Sequence, residues 1–178
     1  MVVDQELVKN LVGTARSTLH CVFKWGCPKS ESTNLEVYLK KEKGMSDARF
    51  DSIFNLAMRK KIIIDPKGET FDIPLLTEAI KVSCTDLAPY DDPVWDDESD
   101  TRLESIISSV RHFRNSAACV LRGRSPTNEQ IKETVENLRK LLKKLIIEAG
   151  KVYDIDYDVV ELRVYHINEK LDDVIDNI

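Results

Sequence analysis

One stretch of the chain gathers the side chains best suited to chemistry. It reads Val110-Arg111-His112-Phe113-Arg114-Asn115-Ser116-Ala117-Ala118-Cys119. The Arg114 guanidinium presents a planar fork of N–H donors that matches a phosphate or a carboxylate. Asn115 beside it can orient a ribose, a phosphate or a backbone group. At about 100° per residue, Leu103, Ile106, Ile107, Val110, Phe113, Ala117, Val120 and Leu121 fall in one arc, with Arg114 near its centre. A guanidinium stranded in a dry core costs roughly 3–5 kcal/mol. The pattern therefore predicts an Arg114 on the inward side, either paired with a carboxylate from a neighbouring helix or lining a cleft or an interface. His112, Asn115 and Cys119 share another stripe of the same helix. A His–Cys pair can act as base and nucleophile, but two turns separate these two by roughly 10 Å of rise. No catalytic dyad is expected within one chain. The candidate RNA- or phosphate-contacting set is Arg111, His112, Arg114, Asn115 and Cys119.

Other motifs carry less. Asp154, Asp156, Asp158 and Glu161 have part of the spacing of a calcium loop. The turn glycine is missing and Tyr165 stands where the closing glutamate belongs. They read better as acids complementing a helix N-terminus. The turn Arg122-Gly123-Arg124-Ser125-Pro126 is a weak phosphorylation signal. The cysteines at 21, 27, 84 and 119 include no C-x-x-C pair, and the histidines at 20, 112 and 166 are scattered. Reduced, mostly buried thiols are expected, with no metal and no cofactor. There is no Gly-rich phosphate loop and no G-x-S-x-G. On these residues the chain does not declare itself an enzyme.

Charge is unevenly spread. Residues 1–100 carry 13 basic and 18 acidic side chains, residues 101–151 carry 11 and 5, and residues 152–178 carry 2 and 8. The basic middle holds Arg114. It could meet RNA or another acidic partner, or be neutralised by the acidic segments within the fold. A chain of 178 residues, 42% of them hydrophobic and 32% charged, with 6 Gly and 6 Pro, fits one globular domain. No apolar run nears the ~20 residues of a membrane span, and the start lacks a secretory signal. An intracellular, cytoplasmic setting without membrane contact is expected.

The elements that must position these residues are helical. Residues 4–25 carry Leu7, Leu11, Ala15, Leu19, Val22 and Phe23 on one stripe, stopped by Gly26 and Pro28. Thr33-Asn34-Leu35-Glu36 starts a short helix ending near Gly44, and Ser46 caps a third with Phe50, Ile53, Phe54 and Ala57 inward. Lys60 to Gly68, with its isoleucine run, reads as an extended loop on the core. Residues 73–84 form another apolar helix. The acidic stretch from Asp86 to Asp100 is a loop, pinned to the core by Tyr90 and Trp95. Thr101-Arg102-Leu103-Glu104 is a capping box opening the Arg114 helix, which ends near Gly123. Thr127-Asn128-Glu129-Gln130 opens the next. Ile131, Val135, Leu138, Leu142, Leu145, Ala149 and Val152 then keep a 4-3 spacing, as do Val160, Val164, Ile167, Leu171, Val174 and Ile178. These two helices make most simply an antiparallel hairpin on the bundle. The other use of the seam is a dimer interface, with Phe113, Leu138, Leu142 and Leu145 as its candidates. The expected fold is all-α, a bundle of about six or seven helices.

The segment from about Leu56 to Val120 resembles the HEPN domain of the DAZ-interacting zinc-finger ubiquitin-ligase type. The features are Phe71-Asp72-Ile73-x-Leu75-Leu76 leading a helix to Cys84, a loop with Pro93 and Trp95, and spaced aliphatics before Arg114-Asn115. The resemblance implies an α-helical bundle that commonly dimerises. Catalytic members are metal-independent RNases in which R-N-x-x-x-H motifs from two protomers converge at the interface. Here the histidine position holds Cys119, and a thiol is a poor substitute for an imidazole titrating near neutrality. The resemblance thus carries over Arg114 and Asn115 and no catalytic histidine.

These readings divide the chain into a HEPN-like bundle, 1–152, and a C-terminal helix, 153–178, packed on it. They imply a non-catalytic, dimerising adaptor that partners itself and another protein, with a role in immune, stress or cell-death signalling. The alternatives are an RNA-binding protein or weak endoribonuclease using Arg114-Asn115, and a plain helical scaffold.

Overall fold

A computed structural model describes residues 5–123 and 126–178, with side chains described to Ala117 and again from Pro126. Among them there are eight α-helices and no strand. The chain runs α1 (Gln5–Gly26), α2 (Leu35–Val37, continuing as a π turn over Tyr38–Glu42), α3 (Asp47–Ile53), α4 (Leu56–Ile64) and α5 (Ile73–Ser83). A 3-10 turn (Pro93–Asp96) then leads to α6 (Leu103–Gly123), α7 (Asn128–Val152) and α8 (Tyr157–Asp176).

Side-chain caps set many of the helix starts. Asn34, Ser46, Asn55, Asp72 and Thr127 each accept a bond from a backbone N–H two or three residues into their helix. At Thr127 the capping box is complete, since Gln130 also accepts from the Thr127 N–H at 2.9 Å. The box expected at Thr101 does not form. Asp100 accepts from the Arg102 N–H at 2.8 Å instead, and Glu104 turns inward to accept from the Ala88 N–H at 3.2 Å.

The isoleucine run corrects the expectation of an extended loop. Phe54 leaves the helical region at φ −108°, ψ 119°, and Asn55 caps a new helix that carries Ile62 to Ile64. An unpaired extended segment would leave backbone groups without partners, which a helix satisfies locally. The break also turns Ala57 outward; it lies on α4, exposed, and not on the inward face of α3. This split raises the helix count above the expected six or seven.

The core is one continuous cluster drawn from every helix. α1 runs through it, burying Leu11, Ala15, Leu19, Val22 and Phe23 against α5, α6, α7 and α8. The 4-3 seams of α7 and α8 close on each other and on α1. Leu138, Leu142 and Leu145 have no exposed surface, so the seam is spent inside the chain; this corrects their assignment to a dimer interface. Phe113 is half-buried against the same core. Asp154, at φ 50°, makes the tight turn between α7 and α8, a left-handed position that Asp tolerates. Tyr153 beside it donates a hydrogen bond to the Thr85 carbonyl at 3.0 Å.

Gly26 shows how closely these parts meet. A Cβ there would stand 2.6 Å from the Tyr153 ring and 2.9 Å from the Cys84 Cβ. Gly13, in the middle of α1, has open space instead. Gly26→Ala should lower unfolding free energy by about 1–3 kcal/mol through overpacking. Gly13→Ala should raise it by up to about 1 kcal/mol through helix propensity. Urea denaturation of the two variants checks both signs.

Candidate functional site

α6 changes character along its length. From Leu103 to Ser108 it is buried nearly all round, because α5, α7, α1 and the 3-10 turn surround it. Beyond Val110 the cover continues on the side of Phe113 and Ala117 and is lost elsewhere. Arg114 is therefore exposed, which corrects the inward placement expected from the helical arc. Periodicity identified the correct stripe, but the cover follows Phe113 and Ala117, and Arg114 stands about 60° round the helix from Ala117 and about 100° from Phe113, on the side that is left open.

The internal ion pair expected for Arg114 exists one turn earlier. Arg111 Nη1 donates to Glu78 Oε1 at 3.0 Å, across from α5. Glu78 is 8% exposed, and its other oxygen accepts from the Tyr90 hydroxyl at 2.5 Å. The carboxylate is thereby satisfied on both sides, as a buried charge requires. Lys81 Nζ lies 4.3 Å from the centre of the Tyr90 ring, and the Arg49 guanidinium lies 5.0 Å from it on the cationic side of the cluster. Burial and the adjoining Glu78 carboxylate both push the Tyr90 hydroxyl pKa up. The acidic loop is pinned as expected. Trp95 is buried and donates through Nε1 to the Pro89 carbonyl at 3.0 Å, and Ser105 bonds the Asp97 carbonyl.

The remaining candidates separate. His112 faces Glu98 at 3.7 Å. Two residues apart on a helix, His112 and Arg114 do not share a face. Arg114 Nη1 donates to its neighbour Asn115 Oδ1 at 3.3 Å, and both side chains are exposed. The Cys119 side chain and the Arg122–Ser125 turn lie outside the described residues. The structure thus brings Arg114 and Asn115 together and directs Arg111 and His112 to acids of their own chain. What remains is an outward pair of donors suited to a carboxylate or a phosphate.

Sequence reasoning missed Glu78 and the inward Glu104. A signal for Glu78 was present, since it is the one acid within the largely apolar Ile73–Ser83 helix. It also missed Arg139, whose side chain is 12% exposed. Arg139 donates to Asn168 Oδ1 at 2.9 Å and Asp172 at 2.6 Å, joining α7 to α8. Cys21 and Cys27 are buried free thiols, and burial pushes the Cys21 pKa up. Among the described residues no cluster of His, Cys, Asp or Glu is placed to hold a metal ion, and no helix is long and apolar enough to cross a membrane.

Comparison of the chain with family models, curated proteins and solved structures gives no match.

The Tyr90 cluster has a pH signature. A hydroxyl whose folded pKa lies above its ordinary value of 10.0 adds stability that is complete below pH 10 and lost as pH rises through the folded pKa. Tyr153 is raised in the same direction, chiefly by burial. Stability should therefore fall above about pH 10, and Tyr90→Phe should flatten that fall. Denaturant titrations at pH 8 and 11 would measure the difference.

Proposed function

We propose that this chain is a binding module that works by association, in the manner of a non-catalytic HEPN-like adaptor, with the Arg114–Asn115 face of α6 as its contact point. One observation carries the reading. Arg114 and Asn115 stand exposed side by side, while Arg111 is bonded to the buried Glu78 and His112 lies 3.7 Å from Glu98. The donors left facing outward suit a carboxylate or phosphate on a second molecule, either another copy of the chain or a different protein. Cys119 in the histidine position favours holding over cutting. A role in immune, stress or cell-death signalling follows from the family analogy.

The test is solution mass with and without the contact. Light scattering across a concentration series should show the wild-type chain self-associating and Arg114→Ala shifting toward monomer. A strict monomer that also captures no protein partner removes the adaptor reading.

RNA is the second reading, favoured by exposed Lys132, Lys140 and Lys144 on α7 in the same basic segment as Arg114. Single-stranded RNA should then bind with salt-dependent affinity, and Arg114→Ala should reduce the slope of log affinity against log salt by about one. Fluorescence anisotropy at low salt that shows no binding removes it.

A further inference from the structure

A groove of about 1220 Å³ runs between α1 and α8 over α7, with an apolar part of its lining that includes Leu7, Ile131, Ile146 and Ile167. The two helices are antiparallel. Gly26, ending α1, lies under Tyr153 just before α8, and farther along the Cys21 thiol feels the charge of Arg163.

Three observations converge on this groove. First, Arg163 and Lys170 are the two basic side chains between residues 152 and 178, against eight acidic ones, and both line the groove with His166 between them. Spaced i, i+3, i+7, the three share one stripe of α8. Second, none of the ion pairs among the described residues uses Arg163 or Lys170. Their Cα atoms are separated by about 10 Å along the axis, so two long side chains can converge on one anionic group. Third, the facing wall of α1 carries the polar Asn10, Thr14 and Ser17, and Gly13, which has no side chain. A helix-interior glycine is unfavourable, and no packed neighbour requires this one, because a Cβ at Gly13 meets open space. Its absence keeps the groove wide opposite Lys170. The lining also carries Lys9 and the acids Glu6, Glu169 and Asp173, of which Glu6 and Asp173 lie toward the end near Asn177, so the Arg163 end near Cys21 is the less acidic one.

We infer that the α1–α8 groove binds an anionic amphiphile, with a phosphate or carboxylate head between Arg163 and Lys170 and an apolar tail along Ile146 and Ile167. Charge complementarity selects the head, and burial of apolar surface holds the tail.

The test is calorimetric titration of the full chain with dodecyl phosphate and with laurate, each below its micelle concentration, beside inorganic phosphate and the uncharged dodecyl maltoside. Both anionic amphiphiles should bind. Phosphate and maltoside should bind at least about tenfold more weakly, the scale of one charge-assisted contact. The double variant Arg163→Ala, Lys170→Ala should lose a similar factor. Gly13→Leu should abolish binding while keeping the wild-type melting temperature or raising it, because Leu is the better helix former. Equal binding of maltoside, equal binding of inorganic phosphate, or undiminished binding to a folded Gly13→Leu would each overturn the proposal. So would no binding of either anionic amphiphile, including the case in which an acidic helical peptide occupies the groove instead.

Discussion

The structure depends on the burial of α1. Four later helices pack against it, and Ala15, Leu19 and Val22 have no solvent contact. None of those helices can bury its apolar side chains alone. Contacts distant in sequence therefore converge on a single rod. Gly26 lets Tyr153 and Cys84 close over its C-terminal end, so the α7–α8 hairpin and α5 meet there without a gap. Among the described residues Cys21, Cys27 and Cys84 are free thiols.

Charge is handled in a consistent way around that core. The basic segment from 101 to 151 and its acidic neighbours partly neutralise each other inside the fold. Arg111 reaches Glu78 on α5, and Arg139 reaches Asp172 on α8. Both links join helices that apolar packing also holds together, so their net contribution to stability is small beside that packing. Lys40 is a surface counterpart, bonded to Asp47 and Glu36, which push its pKa up to about 12. Arg114, Arg163 and Lys170 differ from these, because they project outward or into an open groove.

Much of the architecture was legible from residue order. The caps at Ser46 and Thr127, the stripe of α1, the pinned Trp95 loop and the α7–α8 seam follow from local rules that operate within a few residues. The misreadings also have local causes. Three isoleucines are consistent with strand, loop or helix, and Asn55 decided the matter by supplying an N-cap. Glu104 looked like the closing member of a capping box, but the Ala88 N–H drew it inward. Less of the candidate site was legible. Arg114 and Asn115 could be named from sequence, whereas Glu78, Tyr90 and Arg111 become one cluster through contacts 12 and 33 residues apart.

By itself, the sequence determined that this protein is built from amphipathic helices, where most of them begin, and which faces carry apolar side chains. Those properties arise from periodicity and capping, which are short-range. Only the tertiary structure decided which arginine is paired and which faces outward. A helical stripe records the direction a side chain points, and burial depends on which side of the helix the neighbouring helices cover. Beyond Val110 the cover of α6 follows Phe113 and Ala117 and leaves Arg114 at the surface.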